Sequence, residues 1–101
     1  MNANEKSTLD ESRIESAISI LDSCLHPVRL MILKQLLSEG PQEVGLLALR
    51  LQTPPTQVVE HLEALKQGRL VRKLLTGTWM AEVQRIQTIQ ALLGQIANEN
   101  V

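Results

Sequence analysis

The amino-acid sequence predicts a mainly α-helical fold with one two-stranded β-hairpin, in the order α-α-α-α-β-β-α. Three features predict it. Apolar residues recur at steps of three and four along most of the chain, the spacing that places side chains on one face of a helix. Pro and Gly separate these stretches, as expected where helices begin and end. Residues 70–75 and 78–83 instead have strand character around Thr76-Gly77, a pair typical of a hairpin turn.

The first predicted helix follows a loose tail over residues 1–7. Thr8 and Glu11 have the spacing of a capping box, in which each side chain satisfies a backbone amide at the helix start. The residues that then form its apolar face are Ile14, Ala17, Ile18, Leu21 and Cys24. This helix is expected to end near residue 25.

The second predicted helix begins at Pro27, which suits a first turn because its missing N–H would have no partner there. Gly40 and Pro41 end it, since glycine accepts the left-handed cap conformation and proline cannot continue a helix. Its buried stripe is expected to consist of leucines, namely Leu30, Leu33, Leu36 and Leu37.

Two further helices precede the hairpin, over residues 43–51 and over residues 53–68, and a last helix covers about residues 84–97. The side chains expected to point inward from the first two are Val44, Leu47, Ala48, Leu51, Val58, Leu62 and Leu65. The apolar residues of the last are Ile86, Ile89, Leu92, Leu93 and Ile96. With no repeat or linker in the sequence, residues 8–98 are predicted to form one domain.

Composition excludes several functional classes. The single cysteine, Cys24, excludes an intramolecular disulfide and any multi-cysteine metal site, and it suits a reducing cytosol. One Trp without Phe or Tyr excludes the aromatic base-stacking platforms of many RNA-binding domains. Because no apolar run approaches the ~18 residues of a membrane helix, we expect no membrane association and a cytoplasmic protein.

No catalytic set or cofactor motif is recognisable, and we therefore expect neither an enzyme nor a bound cofactor. The two histidines, His26 and His61, lie 35 positions apart in different predicted elements, so they form no metal-binding motif. Cys24 lies on an apolar helix face, where a small buried side chain is the ordinary interpretation and a redox-active thiol is the alternative.

The two helices before the hairpin have the lengths and order of a helix-turn-helix, whose second helix enters the DNA major groove. The hairpin would then contact the adjacent backbone. The densest run of basic residues, Lys66, Arg69, Arg72 and Lys73, leads into it. The same arrangement can also serve as a protein-interaction scaffold, because fold alone does not decide function.

These segments resemble the ArsR/SmtB-type winged-helix repressors over about residues 14–97. Residues 25–33 are similar to the family's "aDPtRLrIL", and residues 44–51 to "VgeLAeaL". Residues 56–65 are similar to "stVSrHLkvL", and the hairpin to "GLVrsrreGrWvyY". The resemblance implies a winged helix-turn-helix that binds double-stranded DNA as a homodimer, most simply as a repressor.

The resemblance places the DNA contacts on the fourth predicted helix and on the hairpin, called the wing in this family. The expected DNA-binding residues are Thr56, Gln57, His61, Arg72, Lys73 and Thr78. The family's metal ligands are missing: residues 43–47 contain no cysteine, and residues 87–92 contain no His, Asp or Glu. We therefore expect no metal site and a regulator that does not sense metal in the family's usual ways.

Several positions depart from the family. Glu60 replaces a basic residue, Val59 a small polar residue, and Thr78 an arginine of the wing, while Pro54 and Pro55 have no backbone N–H to offer a phosphate. The face expected to contact DNA is therefore poor in positive charge. This leaves open an alternative function, a winged-helix protein-interaction module such as an antirepressor or co-regulator, whose partner is another regulatory protein.

The terminal helices are more apolar than a single small core needs, and they are predicted to form the homodimer interface. The residues expected there are Ile14, Ile18, Leu21, Ile86, Ile89 and Leu93. The resemblance implies the same pair of helices. A two-fold dimer would hold its two DNA-reading helices about one DNA turn apart.

Overall fold

The computed structural model describes residue 15 and residues 26–99, with side chains up to residue 95. The elements within this range are helices α1 (Pro27–Glu39), α2 (Val44–Leu51) and α3 (Pro55–Gln67), strands β1 (Val71–Lys73) and β2 (Trp79–Ala81), and helix α4 (Val83–Glu99). The predicted order from the second helix onward is confirmed. Apart from residue 15, the predicted tail and first helix lie outside the described residues, as do Ile14, Ile18, Leu21 and Cys24.

Local chemistry sets the ends of α1. The Nδ1 atom of His26 accepts a hydrogen bond from the backbone N–H of Val28 at 3.2 Å, which caps the helix, and Pro27 occupies the first turn. At the other end Gly40 has a φ of 84° and donates its N–H to the carbonyl of Leu36 at 3.0 Å. The helix therefore begins and ends where the sequence predicts.

The core lies where the first three helices meet the hairpin. Its buried residues are Ile32, Leu33, Leu36, Leu47, Ala48, Val58, Leu62, Leu65, Leu70, Val71, Trp79 and Ala81. The stripe predicted for α1 is partly wrong, because Leu30 and Leu37 are 47% and 45% exposed, whereas Ile32 is fully buried. Helix α1 is apolar on two faces, so leucine spacing alone does not identify the face that the core covers.

The hairpin is tied to the loop between α1 and α2. Strands β1 and β2 pair antiparallel, with Lys73 opposite Trp79. On its other edge Trp79 exchanges two backbone hydrogen bonds with Gln42: the Gln42 N–H donates to Trp79 at 3.0 Å, and the Trp79 N–H donates to Gln42 at 2.8 Å. This single-residue bridge fixes the hairpin relative to the helices, and nothing in the sequence pattern predicts it.

The hairpin turns where the sequence predicts. The N–H of Gly77 donates to the carbonyl of Leu74 at 2.9 Å, and the N–H of Leu74 donates to the carbonyl of Thr78 at 2.7 Å. Gly77 has a φ of 93°, a conformation that glycine adopts without a steric penalty. The paired strands are shorter than predicted, at three residues each.

Helix α4 packs on the core chiefly through the half-buried Ile86 and Ile89. Between α4 and α1 lies an apolar groove of about 610 Å³. The apolar residues that line it are Leu30, Leu33, Leu37, Leu70, Ile86, Ile89 and Leu93. The leucines that α1 does not bury in the core thus meet the apolar side of α4.

Among the helices of the described segment, none is long and apolar enough to cross a membrane.

Candidate nucleic-acid interface

Helices α2 and α3 form a helix-turn-helix. The chain leaves α2 at Gln52, whose φ of 51° is left-handed, and the N–H of Thr53 donates to the carbonyl of Ala48 at 3.1 Å. Val58, Leu62 and Leu65 then bury one face of α3 completely. The opposite face of α3 is left open to solvent, and α3 is called the recognition helix below.

The exposed face of the recognition helix carries two carboxylates. Thr56 and Gln57 are exposed in its first turn, as predicted. Glu60 and Glu63 follow and are also exposed, and with Thr56 they lie at steps of four and three along the helix. The sequence analysis does not place Glu63 on this face, although its helical spacing of three residues from Glu60 identifies it. Both carboxylates repel phosphate, so this face is less attractive to DNA than Glu60 alone implies.

His61 lies one turn after Gln57 on the recognition helix, but its ring packs toward α1 and away from the face that carries Thr56. It lies on the flank of the recognition helix that faces α1, where its ring is half-buried. The Nε–H of Arg29 donates to His61 Nδ1 at 3.1 Å, and the His26 ring lies 4.5 Å away between centroids, tilted by 43°. His61 follows Val58 by three residues, about 60° from the core stripe on a helical projection, which is why it packs inward.

The surroundings of His61 favour its neutral form. Burial lowers its pKa from the ordinary 6.5, the positive fields of His26 and Arg29 lower it further, and the carboxylate of Glu60 acts in the opposite direction. His61 is therefore neutral at pH 7, with Nδ1 occupied as an acceptor and the proton on Nε2.

The start of the recognition helix offers few backbone donors. Pro54 and Pro55 have no N–H, and the carbonyl of Pro54 accepts from the N–H groups of Gln57 and Val58 at 3.0 and 3.1 Å. A helix N-terminus binds phosphate through free N–H groups, so this terminus is a weak anion site.

The wing presents one cation on each face. Lys73 lies on the same side of the sheet as Trp79, with Nζ 5.9 Å from the ring centroid, whereas Arg72 points to the other side beside Met80. The Nε atom of Arg72 lies 3.8 Å from a carboxylate oxygen of Glu82. Over residues 26–99 Lys73 forms no ion pair, so its charge is the more available of the two.

The tip of the wing is neutral. Thr78 is half-buried, and its hydroxyl oxygen lies 2.9 Å from that of Thr76 across the turn. Leu75 is fully exposed at the tip. Thr78 therefore supports the turn through its hydroxyl group. The residue that the tip exposes to solvent is the apolar Leu75.

The basic residues form a run that leads from the end of the recognition helix into the first strand of the wing. Lys66 and Arg69 are exposed where the recognition helix ends, and Arg72 and Lys73 continue the run into β1. Helix α3 and strand β1 pack against each other. Thr56 and Gln57 are exposed in the first turn of α3, and Arg72 and Lys73 are exposed on β1, while His61 faces α1. No three His, Cys, Asp or Glu side chains converge in the part of the chain that the structure describes.

Comparison with known proteins agrees with this geometry. A family described as "Helix-turn-helix domain" matches residues 25–73, from α1 through β1. HlyU from Vibrio cholerae N16961 is 27% identical, with a TM-score of 0.65 over 81% of this chain and 92% of that chain. NolR from Sinorhizobium fredii is 25% identical, with a TM-score of 0.67 over 95% of this chain and 94% of that chain. No curated protein matches the sequence.

A third structure supports the fold alone. It is the homodimeric winged helix-turn-helix DNA-binding domain of Mb0332 from Mycobacterium bovis, which its description calls a possible ArsR-family transcriptional regulator. It is 23% identical, with a TM-score of 0.67 over 100% of this chain and 94% of that chain. Taken with the matched helix-turn-helix and the hairpin wing, these likenesses support a winged helix-turn-helix of the ArsR/SmtB type, the family that the sequence resembles.

Proposed function

We propose that this protein is a dimeric transcriptional repressor that binds double-stranded DNA through α3 and the wing, acts in the cytoplasm, and is neither an enzyme nor a sensor of metal through the family's usual ligands. The observation that carries the proposal is the layer formed by α3 and β1. Thr56 and Gln57 are exposed on α3, and the basic run from Lys66 to Lys73 continues from the end of α3 into β1. In such a layer the helix reads base edges and the wing cations hold the backbone.

The groove between α1 and α4 supports the dimer. Ile86 and Ile89 are half-buried and Leu93 lies further along the same side of α4, so the apolar stripe extends beyond the core. Open apolar surface of this kind is typical of protein–protein interfaces. The M. bovis neighbour is itself homodimeric. A two-fold dimer would separate the two recognition helices by about 34 Å, one turn of DNA.

A second function, a protein-interaction module that has lost its affinity for DNA, is favoured by the surface chemistry of the same layer. Glu60 and Glu63 place negative charge on the open face of α3, beside Val59, which is 39% exposed. Leu75 adds an apolar wing tip. These residues suit a protein partner, such as another regulator, better than they suit phosphate.

The test is salt-dependent binding to duplex DNA. Wild type should bind random duplex at low salt, and K73A should lower the slope of log K against log salt by about one, because one phosphate contact is lost. R72A should lower it less, since Glu82 already offsets part of its charge. The control is R50A, which removes a cation already 3.9 Å from Glu39 on α1.

Two results would contradict the repressor proposal. If wild type shows no affinity at low salt for random duplex or for its own promoter region, the protein-interaction module becomes the better proposal. If R50A reduces binding as much as K73A does, the wing is not the contacting element.

A further inference from the structure

Three side chains join the start of α1 to the recognition helix. His26 precedes α1, Arg29 lies in its first turn, and His61 lies on the inward flank of α3. The two imidazole rings lie against each other with centroids 4.5 Å apart, and Arg29 Nε donates to His61 Nδ1 at 3.1 Å. This group contains both histidines of the chain and links the two segments through a ring contact and a side-chain hydrogen bond.

Both rings make hydrogen bonds that require an unprotonated Nδ1. His26 Nδ1 accepts the backbone N–H of Val28 and thereby caps α1, and His61 Nδ1 accepts from Arg29. An imidazolium is a donor at both nitrogens, so protonation of either ring removes its acceptor. A proton on His61 would also lie beside the cationic Arg29, and a second proton on His26 would set two cations in ring contact.

We propose that His26, Arg29 and His61 form a proton-sensitive clamp, closed when both imidazoles are neutral, which holds the recognition helix against α1 and opens on mild acidification. We name this group the histidine clamp. Its role is to position α3, and His61 is an anchor within the protein rather than a residue that reads DNA. The consequence for DNA binding rests on the proposed function, whereas the clamp itself does not.

Among the residues that the structure describes, Glu60 is the carboxylate that acts on the pKa of His61, and it is exposed. From α1 it faces Arg29, from the preceding segment His26, and on its own helix Glu60, which is exposed. The charged side chain of α2, Arg50, is turned to Gln35 and Glu39. On the wing, Arg72 lies beside Glu82 and Lys73 over Trp79.

Since burial and the neighbouring positive groups lower the pKa of His61 in the folded protein, the unfolded chain takes up this proton first as the pH falls. The stabilisation from the clamp is therefore complete above the ordinary value of 6.5 and is lost as the pH falls through the lowered pKa.

The first experiment follows both imidazoles by NMR, without DNA. The chain contains only two histidines, so their ring signals are assigned by H26N and H61N. Asn at either position keeps a side-chain oxygen as acceptor but does not titrate, and Asn also caps helices well. At neutral pH both rings should carry the proton on Nε2. In H26N the titration of His61 should move toward the ordinary value, because a neighbouring charge is removed.

The second experiment measures duplex affinity between about pH 7.5 and about pH 5.5, the range over which histidine changes charge. Wild type should lose about tenfold in affinity on acidification, and H61N about twofold or less. The sign of this change in affinity distinguishes the clamp from a direct DNA contact, because a histidine that touches phosphate would bind DNA more tightly when protonated. Amide spectra of each variant at about pH 7.5 verify that the fold is unchanged.

The NMR experiment and the affinity experiment together distinguish a failure of the clamp from a failure of the proposed function. A proton on Nδ1 of either ring, or a His61 titration that H26N leaves unchanged, overturns the clamp whatever DNA does. Equal pH dependence in wild type and H61N also overturns it. If the NMR results are as expected but no duplex binds at any pH, the clamp stands and the DNA-binding proposal fails.

Discussion

Glu60 and Glu63 lie about one turn apart on the open side of α3, and each opposes the approach of a phosphate. Two exposed cations, Lys66 and Lys73, follow them at the end of α3 and on β1. We therefore expect affinity for DNA to depend on the balance between these single side chains rather than on net charge, which is only -1 for the whole chain.

We predict that E60R strengthens binding to random duplex and steepens its salt dependence by about one unit of slope, because a repelling charge becomes a cation beside phosphate. Salt titration of the affinity measures this effect. The matched control is E39R, which makes the same charge change at an exposed position at the end of α1. A slope that is unchanged in E60R, or changed equally in E39R, would show that α3 does not face the DNA.

At this scale the sequence predicts exposure well on the outer face of α3 and less well on its flank. Thr56 and Gln57 are exposed as expected, since they lie far from Val58, Leu62 and Leu65 around the helix. His61 is not, because its partner Arg29 lies 32 positions earlier in the chain. Helical spacing places His61 about 60° from the core stripe, at the edge of the buried face, but it does not reveal a hydrogen-bond partner so far away in the chain.

At the scale of elements, the wing depends on its two-sided attachment to the rest of the fold. Trp79 is 2% exposed, pairs with β1 on one edge, and is bonded to Gln42 on the other. Gln42 is itself buried, and its side-chain amide donates to the carbonyl of Gln35 on α1 at 3.3 Å. The position of the wing thus depends on one large buried side chain and one buried amide.

We predict that W79A lowers the free energy of unfolding by about 3–5 kcal/mol, the usual cost of truncating a buried aromatic side chain to alanine. Urea denaturation followed by circular dichroism measures it. M80A, on the opposite face of β2 and half-exposed, should cost about 1 kcal/mol or less. W79F tests the same site if W79A does not fold. A loss in W79A no larger than that in M80A would mean that Trp79 does not hold the wing.

The sequence predicts the helices of this fold because residues that favour helix starts and ends flank them, such as Pro27 at the start of α1 and Gly40 after its end. It predicts the hairpin from its turn at Gly77. The bridge between Gln42 and Trp79 joins single residues far apart in the chain, so no periodic pattern signals it. The covered face of α1 is likewise decided by tertiary packing.

At the scale of the whole molecule, the groove between α1 and α4 is an open apolar surface of about 610 Å³, and we assign it to the dimer. We predict that L93D gives monomers, because dimerisation would bury an unpaired carboxylate. Sedimentation at micromolar concentration measures the state. L93D is preferred to I89D, since Ile89 also packs against the core and its loss threatens folding.

The control for this prediction is Q87D, which adds the same charge at an exposed position of α4. It should remain dimeric. Wild type that sediments as a monomer, or an L93D variant as dimeric as wild type, would remove the groove from the interface and with it the expected spacing of the two recognition helices.

The buried Trp79 has a further consequence, because the chain contains no tyrosine and no other tryptophan. All of the protein's intrinsic fluorescence therefore originates at the base of the wing, from an indole enclosed by the core with the ammonium group of Lys73 5.9 Å from the centre of its ring. Emission from such an indole responds to solvent entry and to displacement of the neighbouring cation. The protein thus carries a label-free optical reporter at the junction where its hairpin meets the helices.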